Sequence, residues 1–116
     1  MASLSIRIDL SPEGRIGPGK IELLETIARE GSISAAGRAM DMSYRRAWDL
    51  VDEMARICGQ PVVASQTGGK HGGGARLTAF GEELVARYRA IERSAEKAVR
   101  AQLRALETET RARRAG

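Results

Sequence analysis

Residues 32–59 read SISAAGRAMDMSYRRAWDLVDEMARICG in single-letter code. Ser32 and Ser43 each precede a run of helical apolar spacing. Serine is a favoured N-cap because its hydroxyl accepts a hydrogen bond from a free amide of the first turn. The first run, Ile33–Met40, is short, and Asp41-Met42 leaves room only for a tight turn. The second run extends from Tyr44 to about Cys58, closed by Gly59 and followed by Pro61. Helix, brief turn, helix is the helix-turn-helix pattern, and its second helix is the recognition helix. Gly37 inside the short helix costs about 1 kcal/mol relative to alanine. Close approach of the motif's helices would explain it.

Working outward, residues 4–10 alternate apolar and polar, the period of a half-buried strand. Ser11–Arg15 reads as a turn and residues 16–19 as loop. From Pro18 to Glu30 the spacing of Ile21, Leu23, Leu24, Ile27 and Ala28 predicts an amphipathic helix that ends at Gly31. Beyond Pro61, Val62–Gln66 and Ala75–Thr78 read as strands around a glycine-rich hairpin. Five of the thirteen glycines fall within residues 68–74, and no acidic residue lies between Ala55 and Phe80. A strand pair after the recognition helix makes the motif winged. Its glycines let backbone amides approach phosphates or enter a narrow minor groove. Lys70, His71 and Arg76 would add positive charge.

The faces of the recognition helix sort by position. Ala47, Leu50, Val51, Met54 and Cys58 share the arc that must face a core. Arg45, Asp49 and Asp52 lie opposite, Arg46 on one flank, and Tyr44 and Trp48 on the other. Base contacts come from the N-terminal part of such helices, so Tyr44, Arg45, Arg46 and Asp49 are the expected readers. Trp48 is the ambiguous member. Its large apolar area favours a packing role over a DNA contact. Ser32, Ser34 and Ser43 open helices whose free amides bind phosphate readily, a role compatible with capping.

Composition bounds the function. The 116 residues suit one domain, and 42% hydrophobic residues suffice for a core. Net charge is +4, with −1 in residues 1–64 and +5 in residues 65–116. Sixteen of nineteen cations are arginine, the side chain suited to bidentate phosphate and base contacts. A single cysteine, Cys58, precludes an intrachain disulfide. With one histidine beside it, a four-ligand zinc site is not expected. No apolar run approaches a membrane span, and the expected location is cytoplasmic. No catalytic constellation is visible: Cys58 sits on the apolar face as an inert thiol and His71 has no fixed partner. No cofactor is expected.

After Thr78, a possible cap, a long helix is predicted. Phe80, Leu84, Tyr88, Ile91, Ala95, Val99 and Leu106 form one stripe at heptad-like spacing, with Leu103 beside it. A helix over 79–108 is about 45 Å long, more than so small a domain can cover. The stripe is therefore expected to be a homodimer interface, the alternative being a helix folded back on its own domain. Residues 1–78 form the winged head, 79–110 the dimerisation helix, and 111–116 a basic, disordered tail. The fold class is mainly α with a small β wing.

Three runs carry a family resemblance: Gly31-Ser-Ile-Ser, Ser43-Tyr-Arg-Arg-Ala-Trp-Asp49 and Thr67-Gly-Gly-Lys-His-Gly-Gly-Gly-Ala-Arg-Leu-Thr78. Over roughly residues 4–100 the chain resembles the N-terminal DNA-binding domain of ModE, the molybdate-dependent transcriptional regulator. More loosely, it is similar to LysR-type winged-helix domains. The resemblance implies a homodimer on a palindromic double-stranded DNA site. Full-length members also carry C-terminal molybdate-binding domains, which the resemblance does not reach. Molybdate sensing is therefore not transferred, and a separate effector-sensing protein is a candidate partner. Arg45-Arg46 is more basic than the family's usual Lys-Ser, so the operator can differ.

Two rivals are legible. Gly14–Lys20 fits G-x-x-x-x-G-K, but Ile21 stands where a P-loop needs Ser or Thr. Repeated strand–helix units are also missing. The long helix further allows an interaction protein that heterodimerises with a full-length regulator.

Overall fold

The computed structural model describes every residue except 1, 11, 13, 68–72 and 116. The order is β1 (Ile8–Leu10), β2 (Gly14–Ile16), α1 (Pro18–Glu30), α2 (Ile33–Ala39), α3 (Tyr44–Cys58), β3 (Val63–Gln66), β4 (Gly74–Leu77) and α4 (Ala79–Ala115). The fold is a winged helix-turn-helix head with a long C-terminal helix.

Each head helix begins and ends where its local chemistry dictates. Pro18 starts α1, its fixed φ suiting a first turn. Gly31 ends it at φ 83°, and its amide donates to the Ile27 carbonyl. Ser32 Oγ accepts from the Ala35 amide at 3.0 Å, and Ser43 Oγ from the Arg46 amide at 3.0 Å. Gly59 closes α3 at φ 73°. Between α2 and α3 the chain turns through Asp41, at φ 56°. A side chain at Gly37 would press on the Met42 carbonyl oxygen (3.1 Å) and Ala47 Cβ (3.6 Å). Glycine thus lets the turn and α3 close on α2, as the sequence suggests.

The core is built from Ile16 of β2, Ile21, Leu23, Leu24 and Ile27 of α1, Ala36 of α2 and Ala47, Leu50, Met54 and Ile57 of α3. Val62, Leu77 and Tyr88 seal it. On α1, Ala28 is exposed and Thr26 is buried instead, its hydroxyl donating to the Glu22 carbonyl at 2.7 Å. On α3, Val51 and Cys58 are only half-buried, and Ile57 takes the core place expected of Cys58.

The N-terminal region differs from expectation. The strand is confined to Ile8–Leu10 and pairs antiparallel with Gly14–Ile16, a segment read as turn and loop. Residues 4–7 are not strand. The segment ahead of β1 is tied to α4 instead: Tyr88 Oη donates to the Ile6 carbonyl at 2.6 Å, and the Ala2 amide to Glu107 at 2.7 Å.

The wing strands pair antiparallel from Val63↔Leu77 to Gln66↔Gly74. They are tied to the head by the Ala75 amide on the Gly31 carbonyl (2.8 Å) and the Thr78 amide on the Val62 carbonyl (3.0 Å). Thr78 caps α4, its hydroxyl accepting from the Gly81 amide at 3.0 Å.

At 37 residues α4 is about 55 Å long. It runs to Ala115, past the boundary expected at 110, so residues 111–115 are helical. Two i, i+4 links support that stretch: Arg111 to Glu107 at 2.7 Å, and the Thr110 hydroxyl on the Leu106 carbonyl at 2.8 Å.

Candidate nucleic-acid interface

On α3 the side opposite the core presents the predicted readers. Tyr44, Arg45 and Arg46 are exposed at its N-terminal end. Arg45 Nε donates to Asp49 Oδ1 at 3.2 Å, one turn on. The two side chains thus form an exposed i, i+4 ion pair on the outer face.

The two flanks differ. On one, Arg46 lines a cleft of about 380 Å³ with Arg7, Arg15, Lys20, Met40 and Met42. Arg15 lies 3.8 Å from Asp9, both well exposed. Lys20 is spent within the fold, donating to the Arg15 carbonyl (2.7 Å) and to Glu53 (3.0 Å). That lysine would be the phosphate-gripping residue of a P-loop. Among the described residues the strand before it is antiparallel and pairs with β1 alone. The nucleotide-binding reading therefore lacks both its sheet and its lysine.

On the other flank lies a cleft of about 350 Å³ between α3 and the wing. Ser32, Ser34, Tyr44, Trp48, Ser65 and Gly74 are among its walls. Trp48 is 45% exposed and Tyr44 57%. Trp48 lies off the core, which Ala47, Leu50 and Met54 fill, and shares this cleft with Ile33, Val51, Val63 and Ala75. Ser34 is engaged by Arg38, whose Nη1 donates to its hydroxyl at 2.9 Å. Arg76 is exposed on β4. Lys70 and His71 lie outside the described residues.

Sequence reasoning missed Arg7, Arg15 and Arg38. Arg7 and Arg15 reach the cleft beside Arg46 because β1 and β2 form a hairpin beside α3. Arg38 sits four residues after Ser34, a helical spacing that could have revealed it.

Residues 19–82 match the family described as bacterial regulatory helix-turn-helix protein, lysR family. The chain belongs to that family. The helix-turn-helix named in the family's description is the α2–α3 pair here. It is also 40% identical over 92 residues to the molybdenum transport protein ModE of Azotobacter vinelandii, covering 79% of this chain and 33% of that protein. With the DNA-binding transcriptional dual regulator ModE of Escherichia coli K12 it shares 36% over 97 residues, 84% of this chain and 37% of the relative. Identity reaches 51% over 78 residues with the molybdenum-pterin-binding protein MopB of Rhodobacter capsulatus, covering 67% and 29%. The chain thus spans about a third of the length of the curated relatives it matches. The crystal structure of ArgP from Mycobacterium tuberculosis superposes with a TM-score of 0.51 at 17% identity, over 72% of this chain and 30% of that one. That likeness concerns the fold. The resemblance to the N-terminal part of ModE stands, with the LysR-type head as its shared element.

The other chemistry is sparse. Among the described residues no group of three His, Cys, Asp or Glu side chains is placed to hold a metal ion. Burial pushes the Cys58 thiol up from its ordinary value, which favours the unreactive protonated form. Among the described residues no helix is long and apolar enough to cross a membrane.

The dimer stripe divides. Phe80 and Leu84 pack partly against the head's own core, and Tyr88 is only 2% exposed within it. Tyr88 is therefore withdrawn as an interface residue: its ring and hydroxyl are already used inside the chain. Ala95, Val99 and Leu103 are half-buried, and Leu103 shares a cleft with Ala2, Ser3 and Leu4. Ile91 is 42% exposed and Leu106 58%.

Proposed function

We propose that the protein is a homodimer that binds a palindromic DNA site in the cytoplasm and regulates transcription without catalysing a reaction. The observation that carries this is α3. It is capped by Ser43, buried on one face, and presents Arg45 opposite, with Arg7, Arg15 and Arg46 in the cleft on one flank and Tyr44 and Trp48 on the other. Arginine can grip O6 and N7 of guanine together, so Arg45 and Arg46 are the base readers in this scheme, Asp49 aiming Arg45. Phosphate contacts fall to the amides opening α2 and α3, with Ser32, Ser34 and Ser43, and to Arg7, Arg15, Arg38 and Arg76. Lys70 and His71 would extend the wing's contribution.

Dimerisation rests on α4. Ile91 and Leu106 leave apolar surface in water on a helix that outruns its head, and a second copy of the same helix would cover it. Ala95, Val99 and Leu103 flank that surface. Such a pairing would set two recognition helices about one turn of DNA (~34 Å) apart. The molybdenum named in the relatives' descriptions belongs to those proteins.

Selection of bound duplexes from a random pool tests the reading. Inverted repeats spaced by one helical turn support it. A pool that never enriches, or a lone half-site without a repeat, refutes it.

A further inference from the structure

Trp48 is 45% exposed on a flank of α3, whereas Leu50, Met54 and Ile57 lie in the core and Val51 packs against it. It stands at the fifth position of α3, in the N-terminal half that enters a major groove. Tyr44 precedes it by one turn on the same flank, and the cleft beyond is walled by the polar groups Ser32, Ser34 and Ser65. Ile33, Val51, Val63 and Ala75 line the same cleft, and the indole beside them stays 45% exposed.

Resting on the DNA reading above, we propose that Trp48 reads the C5-methyl group of thymine. The edges of the base pairs offer one apolar group in the major groove, and it is that methyl. Arg45 and Arg46 cannot supply this selectivity, because a guanidinium seeks the paired acceptors of guanine. Ser32 and Ser34, at the start of α2, are placed to meet the backbone beside the same base. Arg38 adds charge there through its bond to Ser34. The indole would then slide over the methyl while the cations hold the strand. Removing a methyl from water changes an equilibrium constant about fourfold.

The test uses the intact chain and a duplex selected from a random pool, remade with each thymine replaced singly by deoxyuridine. The expected result is a loss of affinity of about fourfold at one or two positions in each half-site. Trp48→Ala should bind the thymine and deoxyuridine duplexes equally. Trp48→Leu, which keeps an apolar side chain, should retain part of the difference. Circular dichroism on both variants confirms folding, which half-exposed Trp48 does not control. A duplex indifferent to deoxyuridine overturns this inference alone. So does a penalty that persists in Trp48→Ala, which would assign the methyl to another residue. Uniform weakening in Trp48→Ala would place the indole on the sugar-phosphate backbone, and a change in its sedimentation would make the face a protein contact. Either outcome also rejects the proposal. A pool with no enriched duplex overturns the DNA reading and this one with it.

Discussion

Arg89 of α4 grips Glu25 of α1 with two parallel hydrogen bonds, Nε to Oε2 at 3.0 Å and Nη2 to Oε1 at 2.7 Å. Its remaining Nη1 donates to Glu92 at 2.7 Å. The fork fixes the rotation of α4 on the head just before the helix projects beyond it. Arg89→Ala should cost about 1–2 kcal/mol, between an exposed and a buried ion pair. Thermal unfolding should show a fall on the order of 5–10 °C. With the angle of α4 loosened, the variant should also tolerate a wider range of half-site spacings on DNA.

The same pair gives a pH signature. The hydrogen bond from Arg89 holds the Glu25 carboxyl below its ordinary value of 4.5, against the opposing effect of burial. A depressed carboxylate contributes stability above its unfolded pKa and loses it as pH falls through the folded one. The stability gap between wild type and Arg89→Ala should therefore be full near neutrality and shrink below pH 4.5. Urea titrations across that range measure it.

Tyr88→Phe keeps the ring in the core and removes only the bond to the Ile6 carbonyl. The expected cost is about 1 kcal/mol. The N-terminal segment should loosen from α4 while the head stays intact. Trypsin cleavage after Arg7, followed by mass spectrometry, should be faster in the variant than in wild type.

Gly81 lies in the first turn of α4, where a Cβ would run into the Val62 carbonyl oxygen at the root of the wing. Gly81→Ala should be strongly destabilising, on the order of 2–4 kcal/mol by overpacking. Gly19→Ala, where a Cβ meets nothing within 4 Å, should be tolerated. Chemical denaturation of the two variants side by side makes the comparison.

How legible the chain was follows from the physics of each part. The bounds of α1 and α3 could be read because glycine, proline and serine mark them by local backbone chemistry. The β1–β2 hairpin could not, because three-residue strands carry almost no periodic signal and are held by packing from outside. Gly14, for one, sits against Ile57 of α3. The same hairpin brings Arg7 and Arg15 into the cleft beside Arg46, so those cations were hidden with it. Trp48 was legible as a flank residue from its helical phase, which places it off the core. Tyr88 was misjudged because one stripe on α4 serves two purposes, closing the head first and facing outward only beyond it.

The central claim is that α3 reads base sequence through Arg45 and Arg46. Its most direct test compares wild type with the Arg45→Ala, Arg46→Ala double variant, titrating a selected duplex against a random competitor at fixed salt. Each bidentate arginine contact is worth roughly 1–3 kcal/mol of discrimination. The preference for the selected duplex should therefore collapse by at least about tenfold, while a weaker, salt-sensitive affinity for any duplex remains. A preference that survives the double change undiminished would contradict the assignment of α3 as the recognition helix.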